Sequence, residues 1–310
     1  MGLSIDSDMR YVRQVDLGKS SVAVTGATGF LGGYLVENLL KHGAHVVAVV
    51  RNPAKAAGLA SRGVEVRKAD LADEDALAEG FRGCDAVISN AAAVSFSKPE
   101  ETLRTNLEGT RNVFNAMARV EVRRAVMVSS TVVYPFSTSL VSERTPIRDI
   151  GPLNRLNGYQ ISKAASEKAA WELAKQHEIA LTTVRPCAIT GAEDPMFMFW
   201  FKRLLSFPVT LFPVGLRFSI VYAGDVAEAI SLALKDSEIS AGKAYNTTGV
   251  AQETWQMADL WRDAGGRSPM LRLPVPLPFS MCFDDRLVRD ELGWRPRGTF
   301  QTVKQTLAGL

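Results

Sequence analysis

The chain has 310 residues, 46% hydrophobic and 22% charged, with a formal net charge of +3. That balance excludes a disordered or fibrous protein, and a surplus of three positive charges is far from the concentrated basic face needed to bind nucleic acid through its phosphates. Cys84, Cys187 and Cys282 stand far apart with no CxxC pair, and His42, His45 and His177 form no ligand spacing, so neither a disulfide framework nor a metal site is supported and a reducing, cytoplasmic setting is expected.

Residues 1–20 are polar, without an apolar signal core, and read as a short lead-in. Strand-like apolar runs then alternate with helical patterns. Strands are expected at 21–25, 45–50, 64–68, 85–89, 125–129 and 180–184, and helices at 30–42, 73–81, 100–119 and 159–177. Such alternation with right-handed crossovers predicts an α/β, doubly wound parallel sheet of the Rossmann-like kind, covering residues 18–190. After Pro186 the texture becomes proline-rich and aromatic, which points to a smaller substrate-binding unit over 191–310. A helix at 225–235 and a strand at 244–247 return the chain to the first domain, so the two are interleaved. The longest apolar stretch, Met196 to Val221, is cut by Lys202, Arg203, Pro208, Pro213 and Arg217, so no membrane span is expected. Ser268 to Ser280 reads as a proline-rich surface loop or edge segment.

Thr25-Gly26-Ala27-Thr28-Gly29-Phe30-Leu31-Gly32 joins the first strand to the first helix. Glycines at such a turn let the backbone pass close to a pyrophosphate, whose charge meets the unpaired N–H groups of the helix N-terminus, and the last glycine lets helix pack on strand. Gly26, Thr28, Gly29, Phe30, Leu31 and Gly32 are therefore a candidate dinucleotide cradle; a tight turn with no ligand is the plain alternative. The second strand runs into Arg51, near the place where an acidic residue would hold the ribose 2′-hydroxyl of NAD. A cation there suits a 2′-phosphate instead, so NADP is expected ahead of NAD, with Lys55 able to assist.

Tyr159-Gln160-Ile161-Ser162-Lys163 opens a long helix, and positions i and i+4 share a face about 5–6 Å apart at Cβ. A phenol of ordinary pKa about 10 is a poor base at neutral pH, but a neighbouring ammonium stabilises its phenolate, and the same lysine reaches a ribose hydroxyl. Ser129-Ser130-Thr131 closes the fifth strand at its carboxyl end, where open α/β sheets bind ligands.

Taken with Asp70-Leu71, Asn90-Ala91-Ala92, Thr105 to Thr110, Ser129 to Tyr134, Arg185-Pro186 and the terminal Leu292 to Pro296, these motifs give the chain a resemblance to the extended short-chain dehydrogenase/reductase family, the NAD(P)-dependent epimerase/dehydratase group. The resemblance implies Ser130 as the catalytic hydroxyl, Tyr159 as acid/base, Lys163 as its partner and Asn106 as support for the active site. Asp70 and Leu71 would border the adenine, while Asn90, Ala91, Ala92 and Pro186 would line the cofactor. It also implies hydride exchange between the nicotinamide and a ketone or secondary alcohol, and a homodimer through the two long helices.

Members that eliminate water from nucleotide sugars carry an Asp-Glu pair where this chain has Thr131 and Val132, and sugar-nucleotide epimerases commonly carry an asparagine where it has Ala188. The chain is thereby more similar to the dihydroflavonol-reductase-like and 3β-hydroxysteroid-dehydrogenase-like members. Phe197 to Tyr222 holds eight of the 25 aromatic residues, either as the core of the small unit or as walls of a pocket for an apolar or aromatic ketone. Lys202, Arg203 and Arg217 point the other way, towards an anionic substrate. A nucleotide-sugar epimerase and a cofactor-sensing binding protein are the alternative readings.

Overall fold

The computed structural model describes residues 14–93, 98–135, 137–148, 158–192, 194, 207, 209–214, 217–263, 271–276 and 281–297. Along the chain these form β1 (Ser21–Thr25), α1 (Phe30–Lys41), β2 (His45–Val50), α2 (Ala57–Ala60), β3 (Glu65–Lys68), α3 (Glu74–Phe81), β4 (Ala86–Ser89), α4 (Pro99–Arg119), β5 (Arg124–Val128), α5 (Gly158–Gln176), β6 (Ala180–Pro186) and β7 (Ala188–Thr190). There follow β8 (Val209–Val214), β9 (Arg217–Tyr222), α6 (Ala223–Lys235), α7 (Ser237–Ser240), β10 (Ala244–Thr247), β11 (Val250–Glu253), α8 (Thr254–Asp263), β12 (Leu271–Pro276) and α9 (Arg286–Leu292).

Seven strands form one sheet in the order β10-β6-β5-β4-β1-β2-β3, every pair parallel. The central strands are runs of valine, alanine and isoleucine buried on both faces, as a sheet covered by helices on each side requires. On one face α1 and α6 pack through Leu31, Leu35, Leu39, Val226 and Ile230; on the other, α3, α4 and α5 pack through Leu77, Phe81, Val113, Phe114, Met117 and Ala170. The sheet grows outward in both directions from β1 and β4, so a crevice opens at the carboxyl ends of these two strands.

Caps explain several boundaries. Asp73 accepts from the Ala76 N–H at 2.9 Å and starts α3, with Glu74 and Asp75 favourably placed in its first turn. The short helices of residues 53–60, unforeseen in the sequence, start where Asn52 accepts from the Ala54 N–H and Pro53 pre-sets the backbone. β6 runs on to Pro186 instead of stopping at Val184, because β10 pairs with it as far as Thr247 opposite Pro186. Ser129 falls just beyond β5, its hydroxyl donating to the buried carboxylate of Glu167.

Beyond Pro186, β7, β9 and β11 form a three-stranded sheet, and β12 pairs in parallel with β8. The proline-rich stretch expected as a loop or edge therefore supplies a strand over 271–276. Phe197, Phe199, Trp200, Phe201, Lys202 and Arg203 lie outside the described residues, as does the lead-in before residue 14. The terminal motif does a structural job: Gly293 turns the chain at φ 65°, and Trp294 is fully buried, its Nε1 donating to the Asp225 carbonyl at 2.8 Å. Among the described residues no helix is long and apolar enough to cross a membrane, and no group of three histidine, cysteine or acidic side chains is placed to hold a metal ion.

Candidate active site

The glycine turn stands at the carboxyl end of β1. Gly26 has φ +69°, and a Cβ there would sit 2.9 Å from the Ala91 Cα, so only glycine lets the β4 end approach this closely. At Gly32 a Cβ would lie 2.1 Å from the Gly26 carbonyl oxygen, so the helix start could not seat against the turn. Gly29 caps α1 with no side-chain hydrogen bond, leaving the first-turn N–H groups to point outward from a positive helix end. A turn whose glycines carry no Cβ, set beside the N–H groups of a helix start, fits a dinucleotide pyrophosphate.

Thr25, which the sequence reading passes over, locks this edge. Its Oγ1 accepts from the Asn90 and Ala91 N–H groups at 3.0 and 3.1 Å, and Asn90 Nδ2 donates to the Gly26 carbonyl at 3.2 Å. Asp70 accepts from the Ala72 N–H at 3.0 Å and Leu71 is held by Asn112, whose Nδ2 donates to its carbonyl at 2.8 Å. Arg51 is strongly exposed, with 83% of its side-chain surface open and its Nε 3.9 Å from Asp70. An extended cation of this kind, tied only loosely to a carboxylate, is available to an anion at the mouth of the crevice.

Three separate sets of hydrogen bonds draw together the segments that carry the proposed chemical residues. Asn106, buried on α4, accepts from the Ala93 N–H at 2.7 Å and donates to the Ala93 carbonyl and to Ser162 Oγ, at 2.9 and 3.0 Å. Ser162 in turn donates to the Tyr159 carbonyl at 2.8 Å, so Asn106 ties the segment after β4 to the first turn of α5. Lys163 Nζ donates to the Val128 carbonyl at 3.1 Å, two residues before Ser130. Ser130 Oγ accepts from the Val132 N–H at 3.3 Å and donates to the Pro186 carbonyl at 3.4 Å. The ends of β4, β5 and β6 and the start of α5 are thus joined at Asn106, Ser130, Tyr159, Lys163 and Pro186.

Burial pushes the Tyr159 phenol up to about 12, so it is a protonated acid at neutral pH. Burial pulls Lys163 down to about 8, while the negative charge of Glu167 works against that fall. The start of α5 thus carries a protonated phenol able to act as an acid and, four residues on, an amine largely charged at neutral pH.

The match to the model of the NAD dependent epimerase/dehydratase family spans residues 22–247, from β1 through β10. The chain belongs to this family. Among curated relatives of this epimerase/dehydratase member, cinnamoyl-CoA reductase 2 of Medicago truncatula is 34% identical over 186 residues, covering 56% of this chain and 55% of that protein. Anthocyanidin reductase of Arabidopsis thaliana is 29% identical over 265 residues, covering 74% and 78%. The match thus spans little more than half the length of relatives such as the Medicago truncatula and Petunia hybrida cinnamoyl-CoA reductases. Two solved structures share the fold: gox2253 (TM-score 0.80, 22% identity, 94% of this chain and 97% of that one) and the dTDP-glucose 4,6-dehydratase DesIV of Streptomyces venezuelae (TM-score 0.77, 22% identity, 93% and 95%).

Proposed function

We propose that this family member is an NADP-preferring reductase or dehydrogenase that exchanges a hydride with a ketone or secondary alcohol, Tyr159 carrying the proton. The observation that carries the reading is the Lys163 Nζ hydrogen bond to the Val128 carbonyl, which ties the helix that carries Tyr159 and Lys163 to the strand end that Ser130 follows. Gly26, Thr28, Gly29, Phe30, Leu31 and Gly32 would hold the pyrophosphate, Asp70 and Leu71 the adenine, and Asn90, Ala91, Ala92 and Pro186 the remaining face. When bound, the nicotinamide supplies or takes up the hydride. In the reducing direction Ser130 orients the substrate oxygen, Tyr159 donates its proton to that oxygen, and the Lys163 ammonium stabilises the phenolate left behind.

A net reductase is favoured over a nucleotide-sugar enzyme by Thr131 and Val132 following Ser130, where elimination of water would need acids, and by Ala188 in β7. The relatives named as cinnamoyl-CoA, anthocyanidin and dihydroflavonol 4-reductases support net reduction of a small organic substrate. Loss of the near-ultraviolet absorbance of NADPH is to be followed against a dihydroflavonol, a cinnamoyl thioester and simple aryl ketones, with UDP- and dTDP-sugars in parallel. Oxidation of NADPH by a carbonyl compound is expected; conversion of a sugar nucleotide without net change in NADPH would overturn the reading. The proposal extends to a cytoplasmic homodimer joined through α4 and α5.

Two variants address the cofactor. Arg51→Glu lowers the NADPH-over-NADH preference in kcat/KM by at least about tenfold, because a charge-assisted contact to the 2′-phosphate becomes a repulsion; an unchanged ratio removes Arg51 from that role. Gly32→Ala, whose methyl must displace the Gly26 carbonyl, weakens NADP binding at least about tenfold in a fluorescence titration. Wild-type affinity in that variant would mean the cradle is not where the dinucleotide sits.

A further inference from the structure

Tyr159, Lys163 and Glu167 follow one another at four-residue steps along α5, and Glu167 is completely buried. Its carboxylate accepts from Ser129 Oγ, from Thr183 Oγ1 at 3.2 Å and from Trp171 Nε1 at 3.3 Å. Arg185 of β6 grips it from a third side, Nε donating at 2.9 and 3.1 Å and a terminal nitrogen closing the ion pair. The other terminal nitrogen of Arg185 donates to Tyr134 Oη at 2.6 Å, and Tyr134 Oη donates to Asn246 Oδ1 at 2.8 Å. Burying a carboxylate and a guanidinium together is costly unless their polar atoms are hydrogen-bonded, and each nitrogen of Arg185 and each carboxylate oxygen of Glu167 has a partner. An apolar pair would fill such a space at less risk to stability, so the placement of these charges calls for a role of its own.

Two hooks reach from α5 to the end of β5: Lys163 to the Val128 carbonyl and Glu167 to the Ser129 hydroxyl. Ser130 is the next residue. We propose that Glu167 is a positioning residue of the site: clamped by Arg185, it holds the end of β5 against α5 and keeps a negative charge one turn behind Lys163, so that this lysine stays an ammonium. The inference rests on the reading of Lys163 as a cofactor- and phenol-facing cation. The charged and titratable groups that act on or with Glu167 are Lys163 on its own helix, Arg185 from β6 and Tyr134 after β5, with Glu143 acting in turn on Tyr134 and Arg185. Burial depresses the Lys163 charge to a midpoint of about 8, and Glu167 opposes that depression.

The test uses the full chain and NADP⁺ itself, with affinity read by tryptophan quenching from about pH 5.5 to about pH 10, the range in which a buried, depressed lysine titrates. Wild-type affinity falls on the alkaline side as Lys163 loses its proton, and Lys163→Met lacks that limb. In Glu167→Gln the limb moves at least about one pH unit lower, because the ammonium loses its nearest anion while Arg185 remains. Should the unpaired guanidinium prevent folding, Glu167→Met/Arg185→Met replaces the pair by uncharged side chains and shifts the limb in the same direction. A folded variant with the limb at its wild-type position, while Lys163→Met lacks it, overturns the role of Glu167 alone. A limb that survives in Lys163→Met overturns the reading of Lys163, and this inference with it.

Discussion

Replacing Tyr159 by phenylalanine lowers kcat at least about 1,000-fold and leaves the Kd for NADPH within about threefold, the upper range for removing a positioned general acid. The reason lies in the state of the phenol. Burial holds it near 12, far above neutrality, so the phenol keeps its proton at working pH and, in the proposed reaction, is able to give it to a reduced carbonyl. Phenylalanine keeps the ring, and Ser162 still donates to the backbone carbonyl of residue 159, so the start of α5 stays in place. Stopped-flow single turnovers separate the two effects: hydride transfer is lost, cofactor binding is not. The pH dependence follows from the neighbour. Lys163 titrates near 8, and its charged form stabilises the phenolate, so reduction is supported below that midpoint and declines as pH rises through it. Retained turnover in Tyr159→Phe would assign the proton to another group.

Arg124→Leu lowers the stability of the fold by about 3–5 kcal/mol, read as a fall in the urea midpoint at unchanged slope. Arg124 is 4% exposed at the start of β5 and is caged by six neutral oxygens. Its Nε donates to Ser237 Oγ at 3.0 Å, one terminal nitrogen to the Ala125 and Ala180 carbonyls at 2.9 and 2.7 Å, and the other to Thr182 Oγ1, the Ala233 carbonyl and Ser240 Oγ at 3.0, 2.6 and 2.9 Å. One side chain thus binds β5, β6, α6 and α7 together. Leucine fills part of the volume and strands buried carbonyls that have no water to turn to. Lysine keeps the charge with fewer, less spread donors, and Arg124→Lys loses about half as much. Wild-type stability in Arg124→Leu would show that the cage relaxes around an apolar side chain at no cost.

The parallel sheet is legible because its central strands are short runs rich in valine, alanine and isoleucine, each with a helix-patterned segment after it. The glycine turn is legible because its spacing has a steric cause, seen in the Cβ positions that Gly26 and Gly32 could not accommodate. Tyr159 and Lys163 are readable from their i, i+4 spacing. Glu167 continues the same row, and an acid one turn after Lys163 is the available sign, but its partner Arg185 lies 18 residues on and is brought near only by β6. The Arg124 cage is less accessible still, since it gathers residues up to 116 positions away. Thr25 and Ser162 look like ordinary strand and helix residues; their roles depend on backbone groups of other segments. Beyond Pro186 the strands are short and pair out of sequence order, and Pro274 and Pro276 disguise β12, a strand of a two-stranded sheet in which missing N–H donors are tolerated.

The central claim, hydride exchange with a carbonyl carbon and a proton from Tyr159, is tested most directly with NADPH carrying deuterium at both positions of the nicotinamide C4. Incubated with the carbonyl compound that oxidises NADPH fastest in the screen, the protein is predicted to place one deuterium on the new carbinol carbon, in step with cofactor consumed. Product lacking that deuterium, or turnover in which the labelled cofactor is fully recovered, would contradict the account.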